Sequence, residues 1–198
     1  ISMELNKAWD DQNLIKILKK SGIVVMPTDT IYGIVGNALN ISVVNRIYNI
    51  RKRSPEKPCI ILIGDIGELK KFSIIIEDKQ KTVIKKYWPF DSTQSKFTPV
   101  SIIFECPDKT LFYLHRGTKT LAFRLPAKQA FRDLLLKTGP LIAPSANLEG
   151  LPSARNIREA KKYFGDAVNL YIDGGTVKNK ASRVIKLHKD GSISILRK

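Results

Sequence analysis

Four apolar residues, Ile23-Val24-Val25-Met26, run into Pro27 and then into Thr28-Asp29-Thr30, before a second apolar run opens at Ile31-Tyr32-Gly33-Ile34. No other stretch of the 198 residues constrains the fold as tightly. A short block of β-branched and flexible apolar side chains is the pattern of a buried strand. Pro27 removes a ladder donor and stops it. Two hydroxyls and a carboxylate directly after such a strand either line something polar or form a turn that satisfies its own backbone. In open α/β sheets, ligands sit beyond the carboxyl ends of strands, and the triplet falls there. Local chemistry leaves both readings open.

Helix-like and strand-like segments follow one another along the rest of the chain. Asp10 or Asp11 caps a first helix carrying Leu14, Ile17 and Leu18, and Ser42 caps a second carrying Val43, Val44, Ile47 and Ile50. Strands are expected over 59–63, 100–104, 111–114, 121–124, 141–143, 168–172, 184–187 and 193–196. Helices are expected over 65–71, 78–87 and 156–163, and after Pro126 where Phe131, Leu134 and Leu135 form an apolar stripe; residues 88–98 read as a polar loop. With no repeat and no linker, one α/β domain spanning residues 1–198 is the economical organisation.

Four polar clusters stand at the ends of these segments. They are Thr28-Asp29-Thr30 with Tyr32; Arg51-Lys52-Arg53 with Lys57 in a proline-punctuated loop; Arg124 closing an apolar strand; and Pro144-Ser145-Ala146-Asn147 with Ser153. Each has a plain alternative: a self-bonded turn, a solvated basic loop, or an arginine reaching for solvent. Fixed backbone with arginine forks also suits phosphate oxygens. A net charge of +16, from 34 Lys+Arg against 18 Asp+Glu, points the same way, toward a polyanionic partner. Lysine enrichment from biased genome composition is the competing account of that charge.

Several site types are absent from the sequence. There is no GxxxxGK[ST] loop and no GxGxxG fingerprint. The two histidines, His115 and His188, stand outside any hydrolase motif, and Cys59 and Cys106 lack metal-ligand spacing. Reduced core thiols, no apolar run of the roughly 18–20 residues that cross a membrane, and no signal-peptide core make a cytoplasmic protein the expectation. An inventory of hydroxyls, arginines and lysines without a nucleophile–base pair suits a reaction run by positioning and charge neutralisation, as phosphoryl and nucleotidyl transfer are.

Taken together and in order, the clusters resemble the YrdC-like threonylcarbamoyl-AMP synthases, over nearly the whole chain from Gly22 to Arg197. The stretch from Pro27 to Gly33 matches the family's PTDT(V/I)YG signature. Arg53, Ser54-Pro55, Lys57 and Pro58 match its basic KxRP…P loop, and Arg124-Leu125-Pro126 its RxP. Ala143 to Gly150 matches PSANxSG, while Asp173-Gly174-Gly175 with Ser182 and the final Ile195-Leu196-Arg197 fit the C-terminal pattern. The chain departs from that pattern at Arg51, where the family has lysine, at Glu149, where it has serine, at Leu62, where some members carry histidine, and across residues 88–91.

The resemblance implies a twisted open mixed sheet flanked by helices around a basic concave cleft. It implies synthesis of L-threonylcarbamoyl-adenylate from L-threonine, bicarbonate and ATP with release of pyrophosphate, the first step of tRNA N6-threonylcarbamoyladenosine modification. By this likeness Thr30, Arg124, Ala143 and Ser182 would bind threonine, Arg124 by a two-point contact with the carboxylate. Arg53, Lys57, Thr120, Ser145, Ser153 and Arg197 would hold ATP, and Arg51, Arg53, Ser145 and Asn147 would form the catalytic tetrad. Mg2+ would be bound through the ATP phosphates rather than by protein side chains. Downstream partners would be tRNA and a threonylcarbamoyl-transferase complex, and the protein itself a monomer. A non-catalytic tRNA- or rRNA-binding protein using the same basic cleft is the alternative.

Overall fold

The computed structural model describes residues 2–88 and 98–198. Two short helices open the chain, α1 (Ser2–Trp9) and α2 (Gln12–Lys19). Asp11 caps α2 by accepting from the Leu14 N–H at 2.7 Å, as expected; α1 before it was not expected. Strands β1 (Val24–Pro27) and β2 (Tyr32–Asn37) then form an antiparallel hairpin whose last pair is Pro27 with Tyr32. The Thr28-Asp29-Thr30 triplet is therefore the tip of a hairpin.

Helix α3 (Ile41–Arg51) follows, capped by Asn40 rather than Ser42, because the Asn40 carboxamide accepts from Val43 N–H and leaves Ser42 inside the first turn. A Cβ on Gly36 would collide with Val43 Cγ1, so the bare glycine lets α3 lie directly on β2. Strand β3 (Ile60–Leu62) leads through a 3-10 segment (Ile66–Phe72) to α4 (Asp78–Tyr87), and then comes β4 (Val100–Glu105). Trp88 is buried, its indole N–H donating to Val100 O at 2.9 Å. The rest of the expected 88–98 loop, including residues 89–91 of the altered family segment, lies outside the described residues save for residue 98.

The strand expected over 111–114 is helical instead: a 3-10 turn (Lys109–Leu111) running into α5 (Phe112–His115). Asp108 caps it through Thr110 N–H, and the buried residues Leu111 and Leu114 recur at three, not two. The chain continues through β5 (Thr120–Arg124), α6 (Gln129–Thr138), β6 (Leu141–Ile142) and α7 (Ile157–Phe164). Strands β7 (Leu170–Tyr171), β8 (Arg183–Leu187) and β9 (Ile193–Arg197) complete it.

Among the described residues the strands form one twisted mixed sheet of nine in the order β7-β1-β2-β6-β3-β5-β4-β8-β9. Parallel pairs (β1 with β7, β3 with β5, β4 with β8) are interspersed with antiparallel ones. Both faces are covered. Val24, Met26, Val35, Leu62 and Leu141 pack against Trp9, Leu14, Leu18, Phe131 and Leu134 of α1, α2 and α6. Val25, Ile34, Ile61, Ile102 and Phe123 pack on the other side with Val43, Val44 and Ile47 of α3. Full burial of each such side chain is worth about 1.5–3 kcal/mol. Trp9 does more than fill space: it stacks on Phe131 at 4.7 Å, and its indole N–H donates to Pro27 O at 2.9 Å. That bond fixes the end of β1 immediately before the polar triplet.

Candidate active site

The hairpin tip is held from within. Thr28 Oγ1 lies 2.7 Å from Ile31 O and gives that carbonyl its one proton, so it must accept from its other neighbours. Those are the Thr30 N–H at 3.2 Å, the Thr30 hydroxyl at 3.1 Å and, at 3.5 Å, Arg124 Nη2. Thr30 consequently donates inward and turns only lone pairs outward. The turn satisfies its own backbone, and Thr28 and Thr30 also line the cavity beside it.

Beside the tip, the segment following β6 is stitched onto β2. Ile34 N–H donates to Pro144 O at 3.0 Å, and Ala146 N–H donates to Tyr32 O at 2.9 Å. A Cβ on Gly33 would stand 3.2 Å from Thr28 Cγ2 and 3.4 Å from Pro144 O, so glycine permits this approach. On the other flank the Tyr32 hydroxyl donates to Gly175 O and accepts from Gly174 N–H, both at 2.9 Å, tethering the Asp173-Gly174-Gly175 turn. Burial pushes the Tyr32 phenol above its ordinary pKa.

Between these segments lies a cavity of about 510 Å3. Nine of the expected residues line it: Thr30, Ala143 and Ser145 from the hairpin side, Arg53 from the basic loop, Thr120 and Arg124 from β5, and Ser153, Ser182 and Arg197. They come from well-separated stretches of sequence and meet because β3, β5, β4, β8 and β9 are sheet neighbours. Ser182 is buried, 2.8 Å from the Ser101 hydroxyl, and Arg197 Nε donates to its carbonyl at 2.8 Å. The Arg197 pKa is lowered by burial first and by the charge of Arg124 second. The wall is cationic, with Arg53, Arg124 and Arg197 as its charged members.

Arg124 is only 4% exposed and is already paired. Asp29 Oδ1 accepts from its Nε at 3.1 Å and from its Nη2 at 2.8 Å. The guanidinium edge that would give a carboxylate a side-on, two-point contact is thus filled by the protein itself. Asp29, with its side chain 6% exposed, does not line the cavity.

Three expected site residues do not line the cavity either. Arg51, at the end of α3, is 2% exposed and works from behind the wall. Its Nε donates to Asn147 O at 3.1 Å, and its Nη2 donates to Asn147 Oδ1 at 3.1 Å and Ser145 Oγ at 3.3 Å. Burial is the main cause of its lowered pKa, and its Nη1 is buried without a hydrogen-bond partner. Asn147 is fixed by donating to Leu148 O and Leu151 O. Lys57 turns outward to Glu149, Nζ to Oε1 at 2.6 Å, while the other Glu149 oxygen accepts from Ser54 N–H. The Lys57 bond, then that of Ser54, holds the Glu149 carboxyl below the usual carboxylate range. Inside this strap Arg53 donates from Nε to Lys57 O and from Nη2 to Pro58 O, both at 3.0 Å.

Sequence reasoning missed Ser101, Glu149 as a partner of Lys57, and Asp29 as a partner of Arg124. Ser101 carries a signal, a lone hydroxyl inside the apolar strand β4. The two ion pairs join residues more than ninety positions apart and leave no local trace. Among the described residues no three His, Cys, Asp or Glu side chains gather to hold a metal ion. No described helix is long and apolar enough to cross a membrane.

Comparison with known proteins converges on one group. A putative threonylcarbamoyl-AMP synthase of Methanocaldococcus jannaschii is 32% identical over 201 residues, 97% of this chain and 88% of that protein. Threonylcarbamoyl-AMP synthase of Bacillus subtilis is 31% identical over 161 residues, 80% of this chain and 44% of that protein. The crystal structure of Pyrococcus abyssi Sua5 complexed with L-threonine superposes with a TM-score of 0.79 at 26% identity, covering 96% of this chain and 54% of that one. The chain thus spans about half the length of the B. subtilis and P. abyssi relatives. A family model built on Sua5, YciO and YrdC proteins, described as telomere recombination, matches residues 16–198. Since that match takes in every cavity-lining segment, from the hairpin tip to Arg197, the chain belongs to the Sua5/YciO/YrdC family.

Proposed function

We propose that the chain makes L-threonylcarbamoyl-adenylate from L-threonine, bicarbonate and ATP, releasing pyrophosphate, as the first step of tRNA N6-threonylcarbamoyladenosine modification. The observation that carries this reading is the meeting of Thr30, Arg124 and Ser182 with Arg53, Ser145, Ser153 and Arg197 around one cavity. About 510 Å3 is within the size range of small-molecule sites. The names of the B. subtilis and M. jannaschii relatives and the threonine held by P. abyssi Sua5 support it further.

In this reading Arg124 takes the threonine carboxylate and the outward lone pairs of Thr30 take an N–H or O–H of the same molecule. The amine forms its N–C bond to the carbon of bicarbonate, whose hydroxyl leaves as water with a proton from the amine. A carbamate oxygen then attacks the α-phosphorus, and the bond to the bridging oxygen breaks with its electron pair going to pyrophosphate. Arg53 and Arg197 neutralise the charge that develops there. Formation within the same cavity keeps the carbamate, unstable in water, beside its acceptor. Ser145, oriented by Arg51, and Ser153 supply hydroxyls to the nucleotide, with Thr120 at the side. Among the described residues no Asp or Glu lines the cavity, and Asp29 behind it is engaged by Arg124, so Mg2+ would arrive on the triphosphate with phosphate and water oxygens as its ligands. Lys57 reaches the phosphates only after leaving Glu149.

The test is pyrophosphate release measured with each substrate omitted in turn. Release is expected only when threonine, bicarbonate, ATP and Mg2+ are all present, and Arg124→Ala is expected to lower it by about a hundredfold or more. Release indifferent to threonine would overturn the reading. RNA binding with no ATP turnover would favour the non-catalytic alternative.

A further inference from the structure

A guanidinium offers two edges on which a carboxylate can dock with two hydrogen bonds: the side edge, Nε with Nη2, and the end edge, Nη1 with Nη2. In Arg124 the side edge is closed by Asp29 Oδ1, at 3.1 Å from Nε and 2.8 Å from Nη2. The second Nη2 proton points to Thr28 Oγ1 only loosely, at 3.5 Å, and Nη1 has no protein acceptor among the described residues. Arg124 lines the cavity and Asp29 does not. From this we infer that Asp29 is a positioning residue: by occupying one edge it compels the amino-acid carboxylate to dock on the other.

The inference rests on the threonine-dependent reading of the cavity. Its consequence is geometric. A carboxylate on the end edge extends the Arg124 axis, whereas one on the side edge would lie beside the arm, where Asp29 now stands. The two poses carry the amine to different places, so the edge Asp29 leaves open sets where the amine meets the other substrates. Asp29 also makes the buried arginine tolerable before substrate arrives, since a lone buried charge is costly. Its neighbours are arranged for the same task. Trp9 anchors Pro27 O, and the Thr28 hydroxyl binds Ile31 O, so the carboxylate sits on a tip clamped at both ends.

The test compares wild type with Asp29→Ala and Asp29→Asn in the intact chain, reading threonine affinity by calorimetry and pyrophosphate release per threonine-binding site. Asp29→Ala frees both edges. Threonine should still bind within a few-fold of wild type while turnover per site falls by about tenfold or more, and the KM for ATP should not move. In Asp29→Asn the carboxamide oxygen can accept from Nε and Nη2 alike, so this second variant should recover most of the turnover. A residue needed only for folding would behave otherwise, lowering the number of binding sites and leaving turnover per site unchanged. Wild-type turnover per site in Asp29→Ala, or an Asp29→Asn variant as impaired as Asp29→Ala, overturns the assignment of Asp29 alone. A wild-type protein that binds no threonine overturns the functional reading and this inference with it.

Discussion

Arg51 concentrates the chemistry of single residues in this protein. It is a full positive charge at 2% exposure, with carbonyl, carboxamide and hydroxyl oxygens rather than a carboxylate as its hydrogen-bond partners, and one nitrogen left over. Its hydrogen bonds fix Asn147 and aim Ser145, so it acts on the cavity through them. Truncation would strand several buried acceptors and open a hole, and Arg51→Ala should cost about 3 kcal/mol in a denaturant melt. Arg51→Lys restores the residue the resemblance implies. An ammonium has three donors, enough for the two Asn147 oxygens and Ser145, and it removes the orphaned Nη1. That variant should stay within about 1 kcal/mol of wild type and keep its turnover. A lysine variant as unstable as the alanine one would mean that guanidinium shape, not the donor set, is what the wall requires.

At the scale of elements, the strap between the basic loop and the Glu149 turn is the clearest departure from the family pattern. Lys57 and Glu149 close it from outside, and Arg53 staples it from inside through the carbonyls of Lys57 and Pro58. Glu149→Ser removes the partner that neutralises Lys57 and leaves the Arg53 staple in place. ATP affinity, measured by titration calorimetry, should therefore rise several-fold, with little change in melting temperature because the ion pair is exposed. Unchanged affinity would place Lys57 outside the nucleotide site. Elements of this kind set the boundary of what the sequence discloses. The strand–proline–triplet pattern at 23–30 was readable because burial and a missing donor act locally, and α4 was readable to its ends. The segment 111–115 was not, since a short apolar run has no period long enough to separate helix from strand. The Asn40 cap was missed for a similar reason: Asn40 and Ser42 are both competent caps two residues apart, and local sequence does not rank them.

For the whole molecule, the sequence disclosed which residues are unusual but not how they meet. Arg53, Arg124 and Arg197 come from distant stretches, and only the strand order brings them to one wall. That wall belongs to a chain of net charge +16, whose self-repulsion opposes compaction at every pH where the lysines are charged. A set of carboxylates works against this from the surface, and each has its pKa held below the usual range in the fold. Lys57 and Ser54 hold down Glu149; the Ser73 and Thr110 hydroxyls hold down Asp108; the Ser192 hydroxyl and N–H hold down Asp190. Because these folded values lie below the unfolded ones, the stability they contribute is complete above the ordinary carboxylate range. It is lost as pH falls through that range to the depressed values. Protonation there also raises the net charge. The two effects have the same sign, so thermal melts should show stability falling with acid below about pH 4. Added salt, by screening repulsion among the cations, should recover part of the loss, since the Debye length shrinks to about 3 Å at 1 M. Asp108→Asn should flatten the acid limb, because its carboxamide oxygen can still accept from Thr110 and its NH2 can donate to the Ser73 hydroxyl, while the group no longer titrates. An acid limb of unchanged slope in that variant would assign the transition to charge repulsion alone.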